Sequence, residues 1–174
     1  MRNLTFIFFL SFNILSSQEV LRIDNSISSI SYSGSHLLHN WDATNENISG
    51  LIEIENNLIS KIGVIAKVKD FKSGNSSLDS NSYRVLDALR IPNIVFRSSE
   101  IVDSLDVIKI SGTISFHGIE KDLNVLLDKS TENNTISLAG KFIINLSDFN
   151  VKRPSLLLQK IDNEIEIQIN LIFN

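Results

Sequence analysis

Residues 107–128 run VIKISGTISFHGIEKDLNVLLD. In the first half Ile108, Ile110, Ile114 and Phe116 alternate with Lys109, Ser111, Thr113, Ser115 and His117. After Gly118, Leu123, Val125 and Leu127 take up the same rhythm. Successive side chains of a strand point to opposite faces, so a two-residue period describes one dry face and one wet face. With the glycine as its turn, the stretch is a long β-hairpin. A strand of about ten residues spans roughly 33 Å, longer than usual, and such strands suit barrels built around a central space.

The same period recurs on both sides of the hairpin. It covers residues 20–32 and residues 36–54, the latter bending near 45–47. In residues 58–69, Ile62, Val64, Ala66 and Val68 oppose Lys61, Lys67 and Lys69. It returns in residues 94–102, then in residues 135–146 with Ile136, Leu138, Phe142, Ile144 and Leu146 in phase. Residues 164–173 set Ile165, Ile167, Ile169, Leu171 and Phe173 against Glu164, Glu166, Gln168 and Asn170. Together these predict about eight strands joined by short Asn, Asp, Ser or Gly turns, an all-β barrel or sandwich. Residues 78–90 break the rule. Tyr83, Leu86 and Leu89 stand at helical spacing after the capping cluster Asp79-Ser80-Asn81-Ser82, and Pro92 ends the run. The expectation is one short helix that plugs a barrel end or covers a seam, with Tyr83 as an alternative lid residue.

Composition narrows the setting. The 174 residues suffice for one domain with a real core. A hydrophobic content of 43% beside 21% charged residues describes an ordinary globular chain. A net charge of −4 without a basic stripe gives no support to a nucleic-acid partner. At the start, Arg2 precedes an apolar run over residues 4–15 and the small pair Ser16-Ser17. That is the pattern of a cleaved signal peptide over residues 1–17, the run being too short for the about 20 apolar residues of a membrane span. Residues 18–174 then form the mature domain, exported to the periplasm or secreted, with no membrane anchor after cleavage. It has no cysteine and therefore no disulfide.

Several blocks carry a family resemblance. They are Tyr32-Ser33-Gly34-Ser35-His36-Leu37-Leu38-His39-Asn40-Trp41, Ile48-Ser49-Gly50, Leu86-Asp87-Ala88-Leu89 and Ile91-Pro92-Asn93-Ile94-Val95-Phe96. The central hairpin around Gly112 to Gly118 and the block Ser147-Asp148-Phe149-Asn150-Val151 follow in order. The chain resembles the YceI family across its mature part. The resemblance implies an eight-stranded antiparallel lipocalin-like β-barrel, exported in bacteria, that holds an apolar lipid such as a polyisoprenoid. Two positions depart from the pattern: Leu146 stands where many members carry an arginine, and Asn150 stands at a glycine.

An eight-stranded barrel is either filled by side chains or just wide enough for a slender ligand. On the cavity reading, Trp41, Phe96, Ile108, Ile110, Ile114, Phe116, Val125, Leu127, Phe142, Ile144 and Ile167 form the ligand-binding wall. On the competing reading the same apolar residues pack against one another, and the domain is a non-enzymatic structural or interaction module. His36 and His39, three apart on one predicted strand, face opposite sides and cannot share a metal. His39 and Trp41 share a face, and His117 falls at the Gly118 turn. The chain has no cysteine nucleophile, no Gly-x-Ser-x-Gly elbow, no phosphate loop and no metal-ligand spacing, so no enzyme activity and no cofactor are expected. Monomer and homodimer both stay open.

Overall fold

The computed structural model describes residues 18–36, 39–156 and 159–174. The expected signal peptide lies outside the described residues. Among the described residues the fold is all-β with one α-helix. Its strands are β1 (Glu19–Arg22), β2 (Ser29–His36), β3 (His39–Asn45), β4 (Ile48–Glu55), β5 (Leu58–Lys67), β6 (Asn93–Asp103), β7 (Val107–Phe116), β8 (Ile119–Glu132), β9 (Thr135–Asn145), β10 (Ser155–Leu156), β11 (Gln159–Lys160) and β12 (Glu164–Phe173). Ten of them form one antiparallel sheet in the order β1-β4-β5-β6-β7-β8-β9-β12-β2-β3, while β10 and β11 pair separately.

Turn chemistry writes much of this topology. The β4–β5, β7–β8 and β8–β9 connections are two-residue turns, Asn56-Asn57, His117-Gly118 and Asn133-Asn134, with φ between 47° and 76° at every position. Such doubly left-handed turns match the twist of a hairpin, and asparagine and glycine tolerate them best. Bulges at Ser60 in β5 and at Ser99 in β6 interrupt the register opposite Glu53–Ile54 and opposite Ser111–Gly112. Bulges of this kind bend a sheet, and here the sheet curls into a half-barrel.

The curl brings the early chain against the last strand. Residues 22 and 174 exchange two backbone hydrogen bonds of 3.0 Å, and Asp24 N donates to Ile172 O at 2.8 Å. Ile23 N reaches the other way, to Gly50 O of β4. The free edge of β3 is covered by the stretch after a short 3-10 turn, Val68–Asp70: Thr44 and Lys72 exchange backbone bonds of 3.0 and 2.9 Å. Covering an exposed edge in this way removes a site for unwanted strand pairing.

Three expectations need correction. The sheet has ten strands, not eight, because two predicted strands each contain a break. Asp24 Oδ1 accepts from Ser26 N and Ser26 Oγ, making a side-chain-stabilised turn between β1 and β2 that alternation alone hides. Residues 36–54 likewise divide. His36 ends β2, His39 begins β3, and the two are antiparallel partners, so they do not lie on one strand. The foreseen bend at 45–47 is a strand end, where the buried Asn45 donates to Lys67 O and accepts from Asn47 N. The helix, α1, spans Ser76–Val85, earlier than expected, because Asn75 caps it by accepting from Ser77 N and Leu78 N. Leu89 falls beyond its end and is 83% exposed, so it takes no part in a plug.

Candidate functional site

The interior divides along the barrel axis. One end is a packed floor in which Leu21, Ile48, Ile52, Ile108, Leu138 and Phe173 are buried against each other. The floor carries an ion pair, Lys129 with Asp103, whose side chains are only 9% and 2% exposed. The second Asp103 oxygen accepts from Ile59 N at 2.8 Å, so this carboxylate ties β6 to both β8 and β5.

Above the floor lies a cavity of about 200 Å³. A single water needs about 10–15 Å³, so this is far larger than a packing defect. Strands supply most of its wall: Ile62 and Val64 from β5, Phe96 from β6, Ile110, Ile114 and Phe116 from β7, Leu123, Val125 and Leu127 from β8, Phe142 and Ile144 from β9, and Ile165, Ile167, Ile169 and Leu171 from β12. Asn81, Ser82, Val85 and Leu86 at and just past the end of α1, with Val151, Pro154 and Ile161 before and after the β10–β11 pair, line it from the other end. Among the described residues, none of its lining side chains is charged.

The aromatic corner of this site rests on a glycine. Trp41 on β3 pairs across with Gly34 on β2, and a Cβ at Gly34 would stand 2.4 Å from Trp41 Cζ2 and 2.9 Å from Ile165 Cδ1. Only glycine lets the indole lie down over the strand. Tyr32 packs edge-on against Trp41 with ring centroids 5.5 Å apart, and Phe71 lies 5.3 Å from Tyr32 on its other side. Burial pushes the Tyr32 hydroxyl above its ordinary pKa, with a hydrogen bond to Ser82 acting in the opposite direction. Tyr32, Trp41, Asn81 and Ser82 are the cavity's polar side chains among the described residues. Contacts link Tyr32 to Trp41 and to Ser82, and Asn81, the fourth, is the chain neighbour of Ser82.

Further contacts hold the rim. Phe116 meets Phe149 edge-on at 5.2 Å, and His117 Nδ1 lies 2.9 Å from Phe149 O, which fastens the β7–β8 turn to the 3-10 segment Leu146–Phe149. Arg153 Nη1 donates to Ile161 O at 3.1 Å. Asn150 has φ 54°, the left-handed conformation that explains why its position otherwise favours glycine. Leu146, standing where the resemblance expects an arginine, lines the cavity as an apolar side chain.

Of the sequence-derived wall, Trp41, Phe96, Ile110, Ile114, Phe116, Val125, Leu127, Phe142, Ile144 and Ile167 all border the cavity. Ile108 does not. It has the right face of β7 but sits too near the floor, 0% exposed within the packed cluster. Both readings of the interior therefore have a place, with a filled lower part and an open upper part. Sequence reasoning missed Phe71, Val151, Pro154 and Ile161, which come from turns and short segments where no period marks an inward face, and it left Val68 and Leu86 out of the wall although each stood in a periodic run. The side chains of His36 and His39 lie outside the described residues. Among the described residues, no cluster of three or more His, Asp or Glu side chains is placed to hold a metal, and no helix is long and apolar enough to cross a membrane.

No curated protein matches the chain in sequence. Solved structures do match in fold. Burkholderia cenocepacia BcnA superposes with a TM-score of 0.78 at 17% identity, over 86% of this chain and 98% of that one. A polyisoprenoid-binding domain from Saccharophagus degradans, implicated in plant cell wall breakdown, gives 0.72 at 11% identity over 88% and 97%. The Campylobacter jejuni YceI protein gives 0.62 at 18% identity over 98% of each chain. The family model for a YceI-like domain matches residues 21–173, nearly the whole of the described barrel. The chain thus belongs to the YceI-like family.

Proposed function

We propose that this protein binds a long apolar chain, of polyisoprenoid or fatty-acyl type, in the cavity of its half-barrel. The cavity itself carries the proposal, because about 200 Å³ of space walled by uncharged and mostly aliphatic side chains suits hydrocarbon and little else. The Saccharophagus degradans domain, which shares the fold, supports the same ligand class. Each buried CH₂ contributes about 0.8 kcal/mol, so about a dozen carbons supply roughly 10 kcal/mol. Immobilising a ligand costs on the order of 4–15 kcal/mol. Short chains therefore do not bind usefully, and the ligand has to be long.

The protein acts without catalysis, as an exported carrier or store for a molecule that water alone does not transport. Residues 1–17 direct it to the periplasm or outside the cell, and cleavage leaves no anchor. Amino-terminal sequencing of the exported product checks this part, since a chain that keeps residues 1–17 refutes it. For the ligand, native mass spectrometry of protein purified without detergent shows a co-purified apolar molecule. Repeated recovery of bare protein that also fails to take up long-chain lipids after delipidation refutes the binding function.

A further inference from the structure

Trp41 is the only tryptophan of the chain. Among the described residues, its Nε1 is also the one buried side-chain nitrogen or oxygen without a hydrogen-bond partner. A buried donor left unpaired forfeits its hydration with nothing in return, so native structures rarely tolerate one without a reason. The ring has little freedom to turn toward solvent. It lies over Gly34, meets Ile165 there and takes the edge of Tyr32. The apolar residues of its cluster, Ile144, Ile165 and Ile167 among them, offer it no acceptor.

The rest of the cavity sets limits on what can accept this proton. Among the described residues no lining side chain is charged, and an ion buried without a partner is strongly disfavoured. We infer that the ligand carries a neutral acceptor oxygen, of carbonyl or ether type, that receives a hydrogen bond from Trp41 Nε1–H while its hydrocarbon tail runs toward Leu127 and Leu171. This inference rests on the lipid-binding function proposed above. It adds an orientation to it: the acceptor end sits beside Trp41, Tyr32 and Ser82, and the tail lies against the floor.

Two chain-matched probes, 2-dodecanone and n-dodecane, test it on the delipidated protein. With one tryptophan, an ¹H–¹⁵N spectrum shows a single indole resonance, which reports the bond directly. The ketone moves that proton downfield and the alkane does not. Trp41→Phe weakens ketone binding about five- to tenfold more than it weakens alkane binding, the alkane reporting the packing lost with the indole and the difference reporting the hydrogen bond. Retained alkane binding also shows that the variant is folded. Equal indole responses to both probes, or equal weakening of both by Trp41→Phe, overturn the inference and leave lipid binding standing. Tighter binding of dodecyl phosphate than of the ketone overturns the neutrality of the acceptor. If neither probe binds the wild-type protein, this inference falls, and the lipid-binding function falls with it where long-chain lipids also fail to be taken up.

Discussion

Replacing isoleucine by alanine at two positions of one strand measures directly whether the interior is divided. Ile108 and Ile114 lie on the same face of β7, three alternations apart, with 0% and 8% exposure. Ile108 is in the packed floor, whereas Ile114 borders the cavity. Each substitution removes three carbons, worth about 2.4 kcal/mol of transfer free energy at about 0.8 kcal/mol per buried group. In the floor a new hole adds its own cost, so Ile108→Ala destabilises by about 4 kcal/mol, in the upper part of the usual range of about 2–5 kcal/mol. At Ile114 the side chain borders space that is already open. The lost carbons there had fewer neighbours, the hole merges with one that exists, and the cost is about 2 kcal/mol or less. Urea unfolding of delipidated protein reads the difference, because bound lipid stabilises the folded state by mass action. With a slope of about 2 kcal/mol per M, the two midpoints differ by about 1 M at equal slope. Costs that agree within about 0.5 kcal/mol refute the division into floor and cavity.

Other parts of the fold give sharper single tests. Asp103→Asn leaves Lys129 buried without its partner and costs about 3–5 kcal/mol in denaturant unfolding, whereas the double variant Asp103→Leu with Lys129→Met recovers much of it. Recovery stays incomplete, because Ile59 N also loses its acceptor. Gly112→Ala forces a Cβ to within 2.3 Å of Arg97 O and 2.6 Å of Phe96 Cζ, so β6 and β7 must separate, and thermal unfolding shows a loss of about 1–3 kcal/mol. The Asp79 carboxyl is held below its ordinary value of 3.8 by hydrogen bonds from Ser73 Oγ and Ser73 N. Its folded pKa being the lower, this contribution is present above pH 3.8 and is lost as the pH falls through the folded value. A midpoint-against-pH series therefore shows a shallower acid limb for Asp79→Asn than for the wild type.

The period of two was enough to identify the class of fold and the inward face of each long strand. Face is a local property, decided residue by residue along the chain. Depth is not. Whether an inward residue meets a cavity or a packed floor depends on where the neighbouring strands begin, and that is why Ile108 was grouped with Ile110 and Ile114. Strand count failed for a related reason. Asp24 makes its turn through a side-chain oxygen, and Asn45 ends β3 through bonds to Lys67 and Asn47, yet the apolar rhythm continues through both. The helix began early because its cap is Asn75, one residue after the positive-φ Gly74, and not a member of the serine-rich cluster that follows. Trp41 was legible as a wall residue. Its unpaired Nε1 was not, since an absent partner is a fact about three dimensions.

The distribution of regular structure along the axis bears on how such a protein stays folded around empty space. Hydrogen-bonded pairing runs without a break along β7–β8 and along β9–β12, while β8 and β9 pair only from Asp128–Ala139 to Glu132–Thr135, and the fully buried Ile108, Leu138 and Phe173 all hang from these strands. The cavity's far end is closed by a helix without a single buried residue, by the rim segment that His117 fastens, and by the two-residue strands β10 and β11. Displacing α1 uncovers little apolar surface, while separating the floor strands uncovers most of it. Local opening at the mouth therefore costs far less than global unfolding. A binding site for a long chain needs that inequality, because the ligand has to enter lengthwise past the rim without disturbing the part of the barrel that holds the fold together.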